Sequence, residues 1–252
     1  MFRAAEQGHV QLMEVLLEAG AKTDKPEFVQ GRTPLCVATR NGHLNIVHFL
    51  AEHGADKDQA AKDGATPLFA AAVTGHLDIV HFLVEHGAAK DQAQEDGTTP
   101  LFAAAEGGHL DIARFLVEHG ADKDQADTIG RTPLWIAAAT GHLDIVRFLV
   151  EHGADKDQAQ KDGATPLFAA VVMGHLDIAR FLVEHGADKD QAQNDGATPL
   201  FAATVRGHLD IVRFLEEAGA VATGTGRGTE SPVRNGHLDL SFSWACFRLT
   251  QM

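Results

Sequence analysis

The chain has 252 residues, of which 44% are hydrophobic, and its 35 acidic and 21 basic residues give a formal net charge of −14 at pH 7. This balance argues against a nucleic-acid partner, because affinity for phosphates depends on Lys and Arg contacts, and it favours a basic or neutral protein surface. No apolar run reaches the roughly 18 residues of a membrane span, residues 1–17 lack a signal-peptide core, and Cys36 and Cys246 provide no disulfide framework, so we expect a location in the cytoplasm or nucleus.

Repetition dominates the chain from its first residues. Residues 2–9 match the first helix of a unit that lacks its preceding loop. Six full copies follow, with Thr-Pro-Leu beginning at Thr33, Thr66, Thr99, Thr132, Thr165 and Thr198, a period of 33 residues. Residues 20–31 are one position longer than residues 54–64, which predicts a bulge in the first loop. A fixed period of this length predicts a stack in which each copy contacts chiefly its two neighbours.

The residue pattern of each copy predicts two helices followed by a polar linking segment. In the second copy, Thr66 caps a short helix with Pro67 at its first position, and Gly75 supplies a left-handed stop. Residues 77–85 form a second helix whose dense apolar residues suit a position between neighbours, and Gly87 ends it. Residues 88–98 then form an extended link. In later copies, Arg147 and Glu151 stand four apart and are expected to pair.

The residue pattern also carries a family resemblance. T-P-L-x-x-A-A, then G-H-L-D-I-V-x-F-L, then G-A-D at a 33-residue period closely resembles the ankyrin repeat over residues 1–220. The resemblance implies an all-α solenoid of stacked antiparallel helix pairs with hairpin-like loops, here a half repeat followed by six full repeats. It also implies that partner proteins bind the concave face, which hairpin tips and first helices form.

Two departures from the family pattern recur along the chain. The histidine after Thr-Pro-Leu is replaced, which predicts added apolar contact between copies; the residues at this position are Cys36, Phe69, Phe102, Trp135, Phe168 and Phe201. The asparagine after the G-A-D-x loop is aspartate, as in Asp58 and Asp91, and we interpret these carboxylates as solvated charge.

The end of the chain departs from the repeat. Residues 221–235 hold a glycine and threonine run and predict a flexible linker. Residues 236–252 predict a degenerate repeat or capping tail. A helix docked on the last repeat, a loosely packed segment and a partner-binding tail are the three alternatives.

Catalysis and metal binding find little support. The regular copies contain no serine, and Cys36 takes a position that phenylalanine holds elsewhere, so we expect a packed thiol and not a nucleophile. Equivalent histidines in neighbouring copies should lie roughly 8 to 10 Å apart, whereas two zinc ligands lie about 4 Å apart. We therefore predict no enzyme activity, metal or cofactor. The alternatives are a metal- or pH-responsive histidine-rich repeat protein and a targeting subunit of an enzyme complex.

We assign the recognition of partner proteins to positions in the hairpin tips and first helices where the copies differ from one another. These candidate partner-binding residues are Arg32, Arg40, Asn41, Glu95, Asp96, Glu106, Thr128, Ile129, Arg131, Trp135, Met173, Asn194, Val205 and Arg206. Trp135 is either a contact anchor or a space filler between copies. The sequence thus predicts a non-catalytic, monomeric scaffold that binds partner proteins.

Overall fold

The computed structural model describes residues 1–224, and all of its regular structure within that range is helical. The fourteen helices are α1 Phe2–Glu6, α2 Val10–Glu18, α3 Pro34–Arg40, α4 Leu44–Glu52, α5 Pro67–Thr74, α6 Leu77–Glu85, α7 Pro100–Glu106, α8 Leu110–Glu118, α9 Pro133–Thr140, α10 Leu143–Glu151, α11 Pro166–Met173, α12 Leu176–Glu184, α13 Pro199–Arg206 and α14 Leu209–Glu217. Odd-numbered helices are the first of each copy and even-numbered helices the second. The predicted helix pairs are confirmed.

Stacking follows the repeat. Each first helix packs against its own second helix and against the first helices on either side, as α7 does against α8, α5 and α9. Second helices likewise contact their neighbours. One continuous core runs along the stack, including Leu68, Leu101 and Leu134, none of which is accessible to solvent. The predicted solenoid of stacked helix pairs is therefore confirmed.

Local chemistry sets the bounds of the first helices. In each full copy the threonine before proline adopts an extended conformation, and its hydroxyl accepts the amide of the residue three positions on, at 3.1 Å for Thr66 and Phe69. This is a normal N-cap. Gly75 ends α5 at a φ of 78°, in the left-handed region that suits glycine.

The hairpin tips form a ladder of backbone hydrogen bonds. Within the third tip the amide of Gln94 donates to the carbonyl of Thr98, and the amide of Glu95 donates to Asp63 in the tip before it. The same tip-to-tip bond recurs through Asn194. The first tip closes between Glu27 and Arg32, one residue further apart than later tips, and leaves Phe28 94% exposed.

The repeated aspartates form a second ladder, which corrects their interpretation as solvated charge. The amide of Asp155 donates to Oδ1 of Asp124 at 2.9 Å, and Asp91 accepts from Asp122 in the same way. Equivalent bonds run from Asp24 to Val221. Each carboxylate therefore ties one copy to the next.

Aromatic contacts join the second helices on the opposite side of the stack. The Arg147 guanidinium lies 4.8 Å from the centre of the Phe181 ring, which in turn lies 3.9 Å from the His185 ring. In the first full copy His48 takes the place of the arginine, and its ring lies tilted against Phe82 with 4.1 Å between the ring centres. The expected Arg147 and Glu151 pair is wrong, since the described part of the chain contains no such ion pair. The neighbouring ring attracts the guanidinium instead.

The sequence predictions for the end of the chain lie largely beyond this structure. Only residues 221–224 of the predicted linker, and none of the predicted tail at 236–252, belong to the described residues. Within residues 1–224, no helix has the length and apolar character to cross a membrane.

Candidate functional site

The surface formed by the six hairpin tips and the exposed ends of the first helices, termed here the inner face, carries most of the variation between copies. Corresponding positions lie on successive first helices. Arg40, Val73, Glu106, Ala139, Val172 and Val205 are one such row. Because the helices pack side by side, these differences lie along one continuous strip.

Most of the predicted partner-binding residues are accessible on this face. The exposed members are Arg40, Asn41, Glu95, Asp96, Thr128, Ile129, Met173, Asn194, Val205 and Arg206. Arg32, Glu106 and Arg131 are half-buried. The stack brings these residues together in the order of their copies, although their role in binding stays a prediction.

The fourth tip differs from the others in how its backbone is held. In the third tip, Oδ1 of Asp96 accepts the amide of Thr98 at 3.0 Å, and aspartates serve the second, fifth and sixth tips in the same way. Isoleucine occupies that position in the fourth tip, and Ile129 is 44% exposed. Asp127 replaces the missing carboxylate by accepting the amides of Ile129 and Arg131. The fold is thus preserved while an apolar side chain faces outward.

Arg131 and Trp135 stabilise the stack from this tip. Nε of Arg131 donates to Oδ2 of Asp127 at 2.7 Å, and its guanidinium lies 5.4 Å from the centre of the Phe102 ring. Trp135 is only 7% exposed, and its indole N–H donates to the carbonyl of Ala164 in the next tip at 3.0 Å. Trp135 therefore fills space between copies, the second of its two predicted roles, and offers little surface to a partner.

Glu106 sits beside this cluster on the end of α7. Burial raises the pKa of its carboxyl group, the Arg131 charge opposes that rise, and Asp96 and Asp127 add to it. In the described part of the chain, no cationic nitrogen lies within ion-pair distance of the Glu106 carboxylate. The attraction of a partner cation would therefore offset both the desolvation of this carboxylate and the repulsion from the neighbouring negative charges.

The thiol and imidazole groups, which have the most reactive chemistry, make contacts within the stack. Cys36 is 2% exposed, and burial raises the pKa of its thiol to about 11, which suppresses the nucleophilic thiolate. Nε2 of His142 lies 3.1 Å from the carbonyl oxygen of Glu106 in the preceding copy. Nδ1 of His152 lies 2.7 Å from the carbonyl oxygen of Phe148. Among residues 1–224 no three His, Cys, Asp or Glu side chains form a group suited to a metal ion.

A family comparison decides the classification. The family model described as "Ankyrin repeats (3 copies)" matches residues 1–95, 57–127, 87–160 and 156–223, which together span the stack. The chain belongs to the ankyrin repeat family.

Relatives of this ankyrin repeat chain match it over short stretches. It is 43% identical over 61 residues to mouse "Ankyrin repeat and SAM domain-containing protein 6", covering 24% of the chain and 7% of the relative. It is 41% identical over 56 residues to zebrafish "Protein fem-1 homolog A", covering 21% and 9%. It is 38% identical over 64 residues to mouse "2-5A-dependent ribonuclease", covering 25% and 9%. The matched segments thus span less than a tenth of these relatives. Ankyrin repeats are generally protein-interaction modules and not catalysts.

Sequence reasoning missed part of the ankyrin inner face. Val73, on the end of α5, is 47% exposed and occupies the same row as Glu106 and Val205. Lys62 and Lys161 are exposed in the second and fifth tips. Their fixed place in the 33-residue period was the available signal, but the predicted set did not include these members of the variable positions.

Proposed function

We propose that this chain is a non-catalytic scaffold that binds one or more partner proteins through its inner face. One observation carries the proposal: residues between copies are nearly uniform, whereas the inner face changes from copy to copy and exposes apolar side chains. Ile129, Met173 and Val205 are 44%, 53% and 44% exposed. Nothing in the stacking requires apolar groups at these places, and exposed apolar clusters commonly mark interaction sites.

Several features agree with this role. The family is one of protein-interaction modules, and stacked helices give a rigid surface that needs little reordering on binding. The buried, protonated thiol of Cys36 and the backbone-bonded histidines argue against chemistry at the most reactive side chains. We further propose that the chain acts as a monomer inside the cell, without contacting nucleic acid or membrane.

The test compares two pairs of apolar-to-acidic substitutions in the full chain. Met173→Glu with Val205→Glu alters the inner face, whereas Leu12→Glu with Val15→Glu alters α2, where the side chains are 47% and 60% exposed. Affinity capture from a cell extract, followed by quantitative mass spectrometry, should show partners depleted at least fivefold by the inner-face pair only. Equal recovery by both pairs, with unchanged helical content, would refute the inner face as the binding surface.

A further inference from the structure

The inner face changes character along the stack. The first full copy presents Arg32 and Arg40 together with the exposed side chains of Phe28 and Val29. The third copy presents Glu95, Asp96 and Glu106, termed the acidic patch. Beyond the fourth copy lie Val172, Met173 and Val205, termed the apolar patch. The apolar patch thus lies on the side of the acidic patch that leads to the later copies.

The two patches are separated by a fixed distance. Glu106 and Val172 occupy the same position in the third and fifth copies, two steps along the stack. First helices that pack directly lie roughly 8 to 10 Å apart, so about 16 to 20 Å separate these side chains. An extended chain crosses that distance in about five or six residues at 3.3 Å each, and a helix in about eleven to thirteen at 1.5 Å each.

Arg131 lies in the fourth copy, between the acidic patch and the apolar patch. Its guanidinium lies between the Phe102 and Trp135 rings, 5.4 and 5.9 Å from their centres, and bonds to Asp127. A cation on a partner is attracted at the third copy by the carboxylates of Glu95, Asp96 and Glu106. Among the described residues none of these carboxylates has a cationic nitrogen within ion-pair distance, although the Arg131 charge acts on Glu106. Apolar side chains gain most at the fifth and sixth copies, where Met173 and Val205 are about half exposed.

From this arrangement we propose that the partner presents a peptide segment with a Lys or Arg side chain on the acidic patch and bulky apolar side chains on the apolar patch. The cation and the first apolar side chain are separated by about five or six residues if the segment is extended, or about eleven to thirteen if it is helical. This inference rests on the proposed function, because it assumes that the inner face binds. It adds the chemistry and the spacing of what is bound.

The first experiment uses a display library of random 16-residue peptides selected on the immobilised full chain. Enriched peptides should combine Lys or Arg with Leu, Ile, Phe or Met at one of the two stated separations. Enrichment of acidic peptides, of basic peptides without the apolar partner, or of none above an empty support would overturn the proposal.

The second experiment measures one enriched, fluorescently labelled peptide by anisotropy with matched variants. Glu95→Gln with Glu106→Gln should weaken binding about three- to tenfold and reduce its dependence on salt, as expected for two modest ion pairs. Met173→Ser with Val205→Ser should weaken it about tenfold. Glu118→Gln with Glu151→Gln removes two exposed carboxylates from the second helices and should change affinity less than twofold. Thermal unfolding of each variant establishes that it folds.

The variants separate the two levels of the argument. If Met173→Ser with Val205→Ser weakens binding but Glu95→Gln with Glu106→Gln does not, the inner face binds and the assigned chemistry is wrong. If neither inner-face pair changes affinity, both the proposed function and this inference fail.

Discussion

The contacts between copies and the inner face differ in how closely the six copies match. Between copies, the histidine on the preceding carbonyl and the aspartate on the following amide recur with little change. On the inner face, equivalent positions hold arginine, valine, glutamate and alanine. The two kinds of position lie within the same 33-residue unit. Stability is thus concentrated in residues that repeat, and recognition is free to vary in residues that do not.

The largest expected effect breaks the tip ladder. Gly97 and Gly87 have nearly equal φ angles of 85° and 84°, but a Cβ atom on Gly97 would lie 2.8 Å from the Thr128 backbone nitrogen, whereas one on Gly87 meets nothing within 4 Å. Gly97→Ala should lower the free energy of unfolding by roughly 3 kcal/mol, since left-handed strain adds to a displaced hydrogen bond. Gly87→Ala should cost only about 1 to 2 kcal/mol. Urea unfolding measures both, and equal losses would contradict the ladder's role.

The aspartate ladder predicts the next effect. Asp124→Ala leaves the Asp155 amide without its acceptor and should lower the free energy of unfolding by about 1 kcal/mol. Asp124→Asn keeps an oxygen acceptor and should stay within about 0.5 kcal/mol of the unaltered chain. The same urea experiment compares them. Equal losses for alanine and asparagine would mean that charge, and not the hydrogen bond, matters at this position.

The aromatic contacts predict a smaller difference. Arg147→Gln removes the guanidinium from the Phe181 ring and should lower the free energy of unfolding by about 0.5 to 1 kcal/mol. Glu151→Gln, on the same helix, should change it by less than about 0.3 kcal/mol, because the expected pair is absent. Thermal unfolding at low and high salt measures both. A larger loss of stability for Glu151→Gln than for Arg147→Gln would show that the expected ion pair between these two residues forms.

The smallest effect concerns the inner face itself. Burial raises the pKa of Glu106, so the folded chain favours the neutral carboxyl, and the associated stability is lost as pH rises through that pKa. Glu106→Gln should therefore slightly raise the unfolding midpoint at pH 7 and leave it unchanged near pH 3, below the usual carboxyl pKa of about 4.3. Exposed Glu118→Gln serves as the control. A lower midpoint at pH 7 would show that Glu106 stabilises the stack.

Sequence reasoning predicted most of the fold but less of the contacts. Thr66, Pro67 and Gly75 act on the backbone of their own helix, so a local pattern was enough to predict helix bounds. Asp124 and Arg147 act on the following copy, at Asp155 and Phe181, and a pattern within one copy does not reveal that partner. The exact recurrence of an exposed aspartate was the overlooked signal, because a carboxylate that contacts only solvent does not need to occupy the same position in every copy.

The sequence alone did not reveal that Asp127 supplies the hydrogen-bond acceptor that is missing at Ile129. The absence of a tip aspartate at position 129 suggests a lost hydrogen bond, but in the structure the Asp127 carboxylate, two residues earlier, accepts the same amide, that of Arg131. The burial of Trp135 was one of two predicted alternatives, and the deciding bond reaches Ala164 in the next copy. That bond depends on how two copies meet.

The uniform junctions described above also bear on how such a chain changes length. Removal of one complete 33-residue unit from the middle of the stack joins two surfaces that already fit, because the histidines, the aspartates and the Phe rings meet their usual counterparts. Duplication inserts a unit on the same terms. The length of the inner face can therefore change by whole 33-residue units, and the new junction needs no contacts other than those already present between copies.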